Sequence, residues 1–215
     1  MLTLISQRVI KNQYGELDAL GEDYTKYFEK FGLDLIPVSN FKKSLSLYLN
    51  IPIERIILSG GNDIGESYKR DKTEKGLLNL AIDKKIPVLG ICRGMQFINT
   101  YFGGGLIKNI KTEIGTNINH VAATHSIKII DDRVLRFLGD EINVNSYHNQ
   151  GINSDNLSLL LKKFAWSNDG IIEGIYHPSL PIAGIQWHPE RKSFNDQLNE
   201  KLIESFLNQT LFWKK

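Results

Sequence analysis

The sequence predicts an α/β protein: a mainly parallel sheet wrapped by helices, completed by an antiparallel C-terminal extension. Three observations predict it. In the N-terminal part, short apolar runs alternate with amphipathic stretches, as in wound sheets. After Gly103-Gly104-Gly105 the pattern changes to period-two segments separated by turn residues. No internal repeat, low-complexity tract or Pro/Ser-rich linker interrupts the 215 residues, so 1–215 read as a single domain able to bury one sizeable core.

Residues 2–6 read as the first strand. Residues 16–31 carry Leu17, Leu20, Tyr24, Tyr27, Phe28 and Phe31 at helical spacing and stop at Gly32, which predicts a helix. Residues 35–38 form the next strand, 42–49 a short helix, and 55–58 a third strand that runs into Ser59-Gly60-Gly61. Residues 73–85 form a helix with Thr73 as its cap. A buried strand at 87–91 is followed by helical spacing over 93–102 through Met95, Ile98, Asn99 and Phe102. The alternating segments at 125–130, 142–146, 157–166, 171–176 and 182–187 supply the antiparallel part, and 196–211 a final amphipathic helix.

Composition removes several function classes. With 26 Lys+Arg against 24 Asp+Glu, the charge of +2 offers no broad basic face for nucleic acid. No run of about 18 apolar residues can span a bilayer, and the start MLTLISQRVI lacks the pattern of a signal peptide, so a cytoplasmic protein is expected. A single Cys forms no intrachain disulfide and no multi-Cys zinc site.

That cysteine stands in Val88-Leu89-Gly90-Ile91-Cys92-Arg93-Gly94-Met95-Gln96. A strand, a nucleophile, one further residue and a glycine opening a helix make the layout of a nucleophile elbow. The turn exposes the sulfur at the carboxyl end of the sheet, and Gly90 and Gly94 let strand and helix cross without Cβ clashes. The helix N-terminus favours the thiolate and offers the Arg93 N–H to a developing oxyanion. A thiol also needs a base. Of His120, His125, His148, His177 and His188, the last has the best context: it follows a strand, and Glu190 lies two positions on, on the same side of an extended segment held by Pro189. Glu190 can then fix the imidazole while the other ring nitrogen faces the thiol. His177 lacks such an acid and reads as a turn residue.

With Leu58-Ser59-Gly60-Gly61-Asn62-Asp63 upstream, these motifs resemble the class I glutamine amidotransferases, flavodoxin-like hydrolases with a Cys-His-Glu triad, along nearly the whole chain. The resemblance implies Cys92 as nucleophile, His188 as base and then acid, Glu190 as its orienter, and the backbone N–H groups of Gly61 and Arg93 as the oxyanion hole. By itself, Gly60-Gly61 is equally a plain turn.

Asn145-Ser146-Tyr147-His148-Asn149-Gln150 resembles the Ser-x-His-His-Gln stretch of the γ-glutamyl hydrolase branch (peptidase family C26), with Asn149 in place of the second His. The resemblance implies that Gln96 and the segment Ser146, Tyr147 and His148 hold the glutamyl head group; the residues alone also allow a polar turn. This sequence departs from the branch in having no Pro soon after Gly60-Gly61-Asn62-Asp63, and it is shorter, which implies trimmed substrate-side loops. The N-terminal Ile5-Ser6-Gln7-Arg8 and Tyr14-Gly15-Glu16 resemble small amidotransferase-like proteins encoded with bacterial surface-polysaccharide genes, among whose activities is γ-glutamyl-CDP-amidate hydrolysis in capsule biosynthesis. Arg8, Arg70 or nearby lysines could then meet a diphosphate, or they could be solvated surface charges, the reading that Lys69-Arg70-Asp71-Lys72 favours for Arg70. The implied activity is release of L-glutamate from a small-molecule γ-glutamyl amide without metal or organic cofactor, by the chain alone, as a homo-oligomer, or as a glutaminase beside a partner synthetase. A γ-glutamyl-γ-aminobutyrate-type conjugate is the alternative substrate.

Overall fold

The computed structural model describes residues 1–41, 45–192, 196–210 and 212. In chain order it contains β1 (Leu2–Ser6), β2 (Arg8–Asn12), β3 (Gly15–Ala19), α1 (Glu22–Glu29), β4 (Asp34–Val38), a 3-10 turn (Ser46–Asn50), β5 (Arg55–Leu58), α2 (Tyr68–Lys84), β6 (Val88–Ile91) and α3 (Arg93–Tyr101). It continues with α4 (Ile110–Ile114), β7 (Ala123–Ile129), α5 (Asp132–Leu138), β8 (Glu141–Ser146), β9 (Lys162–Ser167), β10 (Ile172–Tyr176), β11 (Ile182–Ile185) and α6 (Asp196–Leu207).

Among the described residues, nine strands form one sheet in the order β4-β1-β5-β6-β11-β10-β9-β7-β8. From β4 to β11 every pairing is parallel, and from β11 to β8 every pairing is antiparallel. The parallel strands are apolar runs because both of their faces are covered. Ile5, Ile57, Leu89, Ile91 and Ile185 pack with α1 and α6 through Phe28, Ile203 and Phe206. Their neighbours Leu4, Ile56, Leu58, Val88 and Ile182 pack on the other face with α2 and α3 through Leu77, Leu78, Met95 and Ile98. The strand period of two thus sorts one set of strands into two cores.

Several expected boundaries move. The helix expected over 16–31 is confined to Glu22–Glu29; residues before it form the β2-β3 hairpin, which turns at Gly15 with φ 126°. Leu17 fits the helical spacing but stands exposed on β3 opposite Ile10. Asp18 binds the far side of the hairpin to the chain by accepting from the Asn40 backbone and side-chain N–H groups. Of the helix expected over 42–49, residues 42–44 lie outside the described residues and the remainder is the 3-10 turn.

α2 starts at Tyr68, not at Thr73, because Ser67 caps it by accepting from the Arg70 N–H. Its first turns face the core with Arg70 and Glu74, buried charges that break the apolar period. The strand expected over 157–166 begins at Lys162, after a turn closed by the Leu161 N–H on the Ser158 carbonyl. The short helices α4 and α5 carry no strong local signal beyond their side-chain caps, Asn109 and Asp131. α6 ends at Leu207, and residue 211 of the expected helix lies outside the described residues. Among the described residues, no helix is long and apolar enough to cross a membrane.

Candidate active site

The carboxyl ends of β5, β6 and β11 are neighbours in the sheet, and each delivers one part of the site: Ser59-Gly60-Gly61, Cys92, and Trp187-His188. Crevices at such strand ends are the usual ligand positions of open α/β sheets.

Cys92 has φ 52° and ψ −107°, a left-handed conformation forced on a side chain that carries a Cβ, and it occupies the N-cap of α3. The elbow holds because its flanks are glycines. A Cβ on Gly94 would come within 2.0 Å of the Leu58 carbonyl oxygen, and one on Gly90 within 2.6 Å of the Gly94 backbone. The Cys92 N–H donates to the Ile185 carbonyl at 2.8 Å, and the Gln186 Nε2 reaches the sulfur at 3.5 Å.

His188 and Cys92 line one cavity, and each bears on the charge of the other. The His188 Nδ1 is 2.6 Å from Glu190 Oε1, so Nε2 is the ring nitrogen left for the thiol. Burial opposes a charge on this ring, but Cys92 and the Glu190 carboxylate outweigh it and push His188 up to about 9. Asn145 clamps the His188 backbone twice, accepting from its N–H at 2.9 Å and donating to its carbonyl at 2.8 Å. Tyr147 stands edge-on to the ring at 5.7 Å between centroids.

The glycine loop is set from below. Arg70 donates to the carbonyls of Ser59 at 2.7 Å and Gly60 at 2.9 Å, while the Tyr24 hydroxyl accepts from the Gly60 N–H at 2.9 Å. Because a trans peptide sets its N–H opposite its carbonyl, the Gly61 N–H points away from the guanidinium. Gly61 has φ 113°, and the Arg93 N–H opens α3 beside Cys92. Arg70 and Arg93 share the buried carboxylate of Glu74, and Arg93 also binds Asp71. Burial would raise the Glu74 carboxyl, but the two guanidiniums hold it below the usual range.

Arg70 is therefore neither a diphosphate ligand nor a solvated charge, as its place in a Lys-Arg-Asp-Lys run suggested. It is fully buried, and its donors are taken by the loop and by Glu74. Arg8, by contrast, is exposed and lines a cavity of about 180 Å³ together with Asp23, Gly61, His188 and Arg191.

A second cavity of about 450 Å³ is shared by Cys92, Gly61, Gln96, Tyr147, His148 and His188, and Asp63, Glu66 and Arg191 also line it. The Gln96 side chain is buried and donates to the Gln150 carbonyl at 3.0 Å. Of the expected head-group segment, Tyr147 and His148 line this cavity. Ser146 does not, since its hydroxyl turns inward to the His120 carbonyl at 2.8 Å. His177 caps a turn, accepting at Nδ1 from the N–H groups of Ser179 and Leu180.

Four residues add to this picture without a role read from the sequence. Asn145 and Tyr24 belong to no catalytic motif, and Arg191 sits over the Tyr147 ring at 4.3 Å, signalled only by adjacency to Glu190. Glu173 does carry a signal: it is a carboxylate inside the wholly buried apolar strand Ile172–Tyr176. The Glu173 carboxylate lies among His120, His125 and His148.

Comparison with known proteins adds relatives to this geometry. Residues 12–190 match the sequence profile of the family described as Peptidase C26. A Schizosaccharomyces pombe protein described as a candidate glutamine amidotransferase is 35% identical over 184 residues, covering 76% of this chain and 72% of its own. The γ-glutamyl-CDP-amidate hydrolase of Campylobacter jejuni is 32% identical over 203 residues, covering 88% of this chain and 90% of its own. In fold, the crystal structure of a glutamine amidotransferase from Thermotoga maritima superposes with a TM-score of 0.65 at 16% identity, covering 97% of this chain and 83% of that one.

Proposed function

The chain belongs to the Peptidase C26 family, as a glutamine amidotransferase-like amide hydrolase, and from that premise we propose that it cleaves a γ-glutamyl amide through a glutamyl thioester on Cys92, releasing L-glutamate. The observation that carries this reading is the left-handed Cys92 at the N-terminus of α3, beside an imidazole whose far nitrogen is held by Glu190 at 2.6 Å.

The Cys92 thiolate attacks the γ-carbonyl carbon, and the carbonyl π electrons move to oxygen, where the N–H groups of Gly61 and Arg93 receive them. Collapse of this intermediate breaks the C–N bond while imidazolium His188 gives its proton to the departing nitrogen. Neutral His188 then takes a proton from water, whose oxygen attacks the thioester. The C–S bond breaks, glutamate leaves, and thiolate and imidazolium are restored. Glu190 orients the ring throughout and carries no proton. Gln96 and the backbone of 146–148 hold the glutamyl α-amino and α-carboxylate groups, a head that needs donors and acceptors together.

His188 borders both cavities, so the substituent on its side opposite Gln96 meets Arg8 and Arg191. Two guanidiniums there, beside the carboxylates of Asp23 and Glu190, offer the donors that an anionic leaving group needs, and a γ-glutamyl nucleotide phosphoramidate fits that chemistry. The test is glutamate release from a panel: glutamine, γ-glutamyl-γ-aminobutyrate, a folyl γ-glutamate and γ-glutamyl-CDP-amidate. The phosphoramidate is expected to turn over fastest, with Arg8→Gln raising its KM and leaving glutamine turnover unchanged. Preference for the γ-aminobutyrate conjugate would overturn the leaving-group assignment. Silence on every substrate until a synthetase is added would make the chain a glutaminase component of a larger enzyme instead.

A further inference from the structure

Behind the Cys92 cavity, whose wall His148 shares, the antiparallel half of the sheet holds four buried metal-ligating side chains facing one another. His120 precedes β7, His125 lies on it, His148 follows β8, and Glu173 lies on β10; their exposures are 4%, 9%, 5% and 0%. One carboxylate oxygen, Glu173 Oε1, is 3.8 Å from His120 Nδ1, 3.6 Å from His125 Nε2 and 3.7 Å from His148 Nε2. These separations lie outside hydrogen-bond range. All three nitrogens and both Glu173 oxygens are buried without a hydrogen-bond partner.

The far side of each ring explains why. His120 Nε2 is bonded to Asp169 Oδ2 at 2.9 Å, His125 Nδ1 to the Ser126 carbonyl at 3.2 Å, and His148 Nδ1 to the Gln150 carbonyl at 2.9 Å. All three partners only accept, so each outer nitrogen carries the proton. In the neutral rings the inner nitrogens then present lone pairs, and they present them to a carboxylate that also only accepts. Four converging acceptors in a buried site repel one another and lack the water they gave up. A cation at their centre removes the conflict. Each imidazole held from behind by a carboxylate or carbonyl is also how proteins orient histidine for a metal.

We propose that His120, His125, His148 and Glu173 form a buried binding site for a divalent transition-metal ion, zinc by preference, that ties the segment 145–150 to β10. Four ligands at about 2.1 Å from a tetrahedral ion stand about 3.4 Å apart, and here every pair of ligand atoms is within 4.8 Å, with the carboxylate contacts at 3.6–3.8 Å. Contraction by a few tenths of an ångström completes the shell. Three imidazoles and one carboxylate suit zinc over magnesium or calcium, which prefer oxygen. Four protein ligands close the shell, so the ion is structural and leaves no position for substrate. One Glu173 charge and the Asp169 charge behind His120 together balance a dication. A cavity of about 380 Å³ lined by His120 and His148 gives a route of entry.

The ion would also sit behind the proposed reaction centre. The Glu173 carbonyl accepts from the Gln186 N–H, and Gln186 reaches Cys92; the Gln150 carbonyl that holds His148 also holds Gln96.

The test uses the full-length chain carrying Cys92→Ala, so that zinc captured by the thiol and His188 does not confuse the count. After chelator treatment, metal is returned and read by mass spectrometry of bound elements, by the melting temperature and by the visible d–d bands of Co²⁺. One ion per chain is expected, with a rise in melting temperature and a tetrahedral Co²⁺ spectrum. His125→Gln should weaken Zn²⁺ binding more than about 100-fold, and Asp169→Asn, which removes only an outer partner, by about 10- to 100-fold. Failure of Zn²⁺ and Co²⁺ to bind the chelator-treated chain in the micromolar range would overturn the site. So would equal affinity in His125→Gln. Should that variant not fold, an octahedral or absent Co²⁺ spectrum in the Cys92→Ala chain would overturn it as well.

Discussion

The parallel and antiparallel halves of the sheet bury polar groups to the same depth and treat them in opposite ways. Beside β5 and β6, both oxygens of Glu74 are taken by Arg70 and Arg93, and Ser6 adds a third bond. Beside β7 and β10, both oxygens of Glu173 and three imidazole nitrogens have no partner. A fully bonded carboxylate braces a loop, whereas an unbonded one among lone pairs leaves room for a ligand. The contrast divides the labour of the fold: one half braces the proposed nucleophile and its glycine loop, and the other supplies the wall opposite.

The largest effect that tests this division is on the chemistry. Cys92→Ala should lower glutamate release from every γ-glutamyl substrate by about 10⁴-fold or more, while denaturant unfolding stays cooperative. Persisting turnover would place the nucleophile elsewhere and end the assignment of chemistry to the parallel half. The next effect is on stability. Glu74→Gln leaves Arg70 buried without its counter-charge and Arg93 with Asp71 alone, and should cost about 3–5 kcal/mol in urea unfolding. Glu173→Gln in the chelator-treated chain removes a carboxylate that has no partner, so it should be near neutral or stabilising. Equal losses from the two variants would erase the contrast.

The two halves also differ in how much of them is legible in the sequence. The elbow is legible because Gly90, Cys92 and Gly94 are nearly consecutive and each answers one local constraint. Strand, turn and helix N-terminus follow from local pattern, and His188 with Glu190 share one extended segment. The central parallel strands β5, β6 and β11 are legible as apolar runs, since covering both faces leaves few polar positions. The hairpin Arg8–Asn12 with Gly15–Ala19 is not, because Leu17 and Leu20 match a helical face by spacing alone. Arg70 misleads because a charge in a charged run is usually solvated; only the tertiary partners, Glu74 and the Ser59 and Gly60 carbonyls, take it inside. The histidine cluster escapes a linear reading because its members lie at 120, 125, 148 and 173, joined by antiparallel pairing of β7, β8, β9 and β10, and no local period links them.

A smaller loss is expected where the halves meet. His188 follows a parallel strand, yet Asn145 from β8 fixes its backbone, and Glu190 fixes its ring. Glu190→Gln should lower the rate of glutamate release by about 100-fold and leave a residual rate, because it orients the imidazole and takes no proton. An unchanged rate would show that the ring is held by Asn145 and packing alone.

The smallest effect is a dependence of stability on pH. His188 is raised on folding from its ordinary 6.5 to about 9, against burial, by Cys92 and Glu190. A group raised on folding contributes stability that is fully present below 6.5 and lost as pH rises through 9. Urea midpoints of the wild-type chain should therefore fall across that window. In Cys92→Ala the sulfur no longer favours the imidazolium and burial regains ground, so the fall should be shallower and should end at lower pH. Glu190 remains in that variant, which keeps part of the slope. The same slope in both chains would mean that the imidazolium is held by Glu190 without the thiolate, and the two halves would then share a carboxylate clamp but no charge pair.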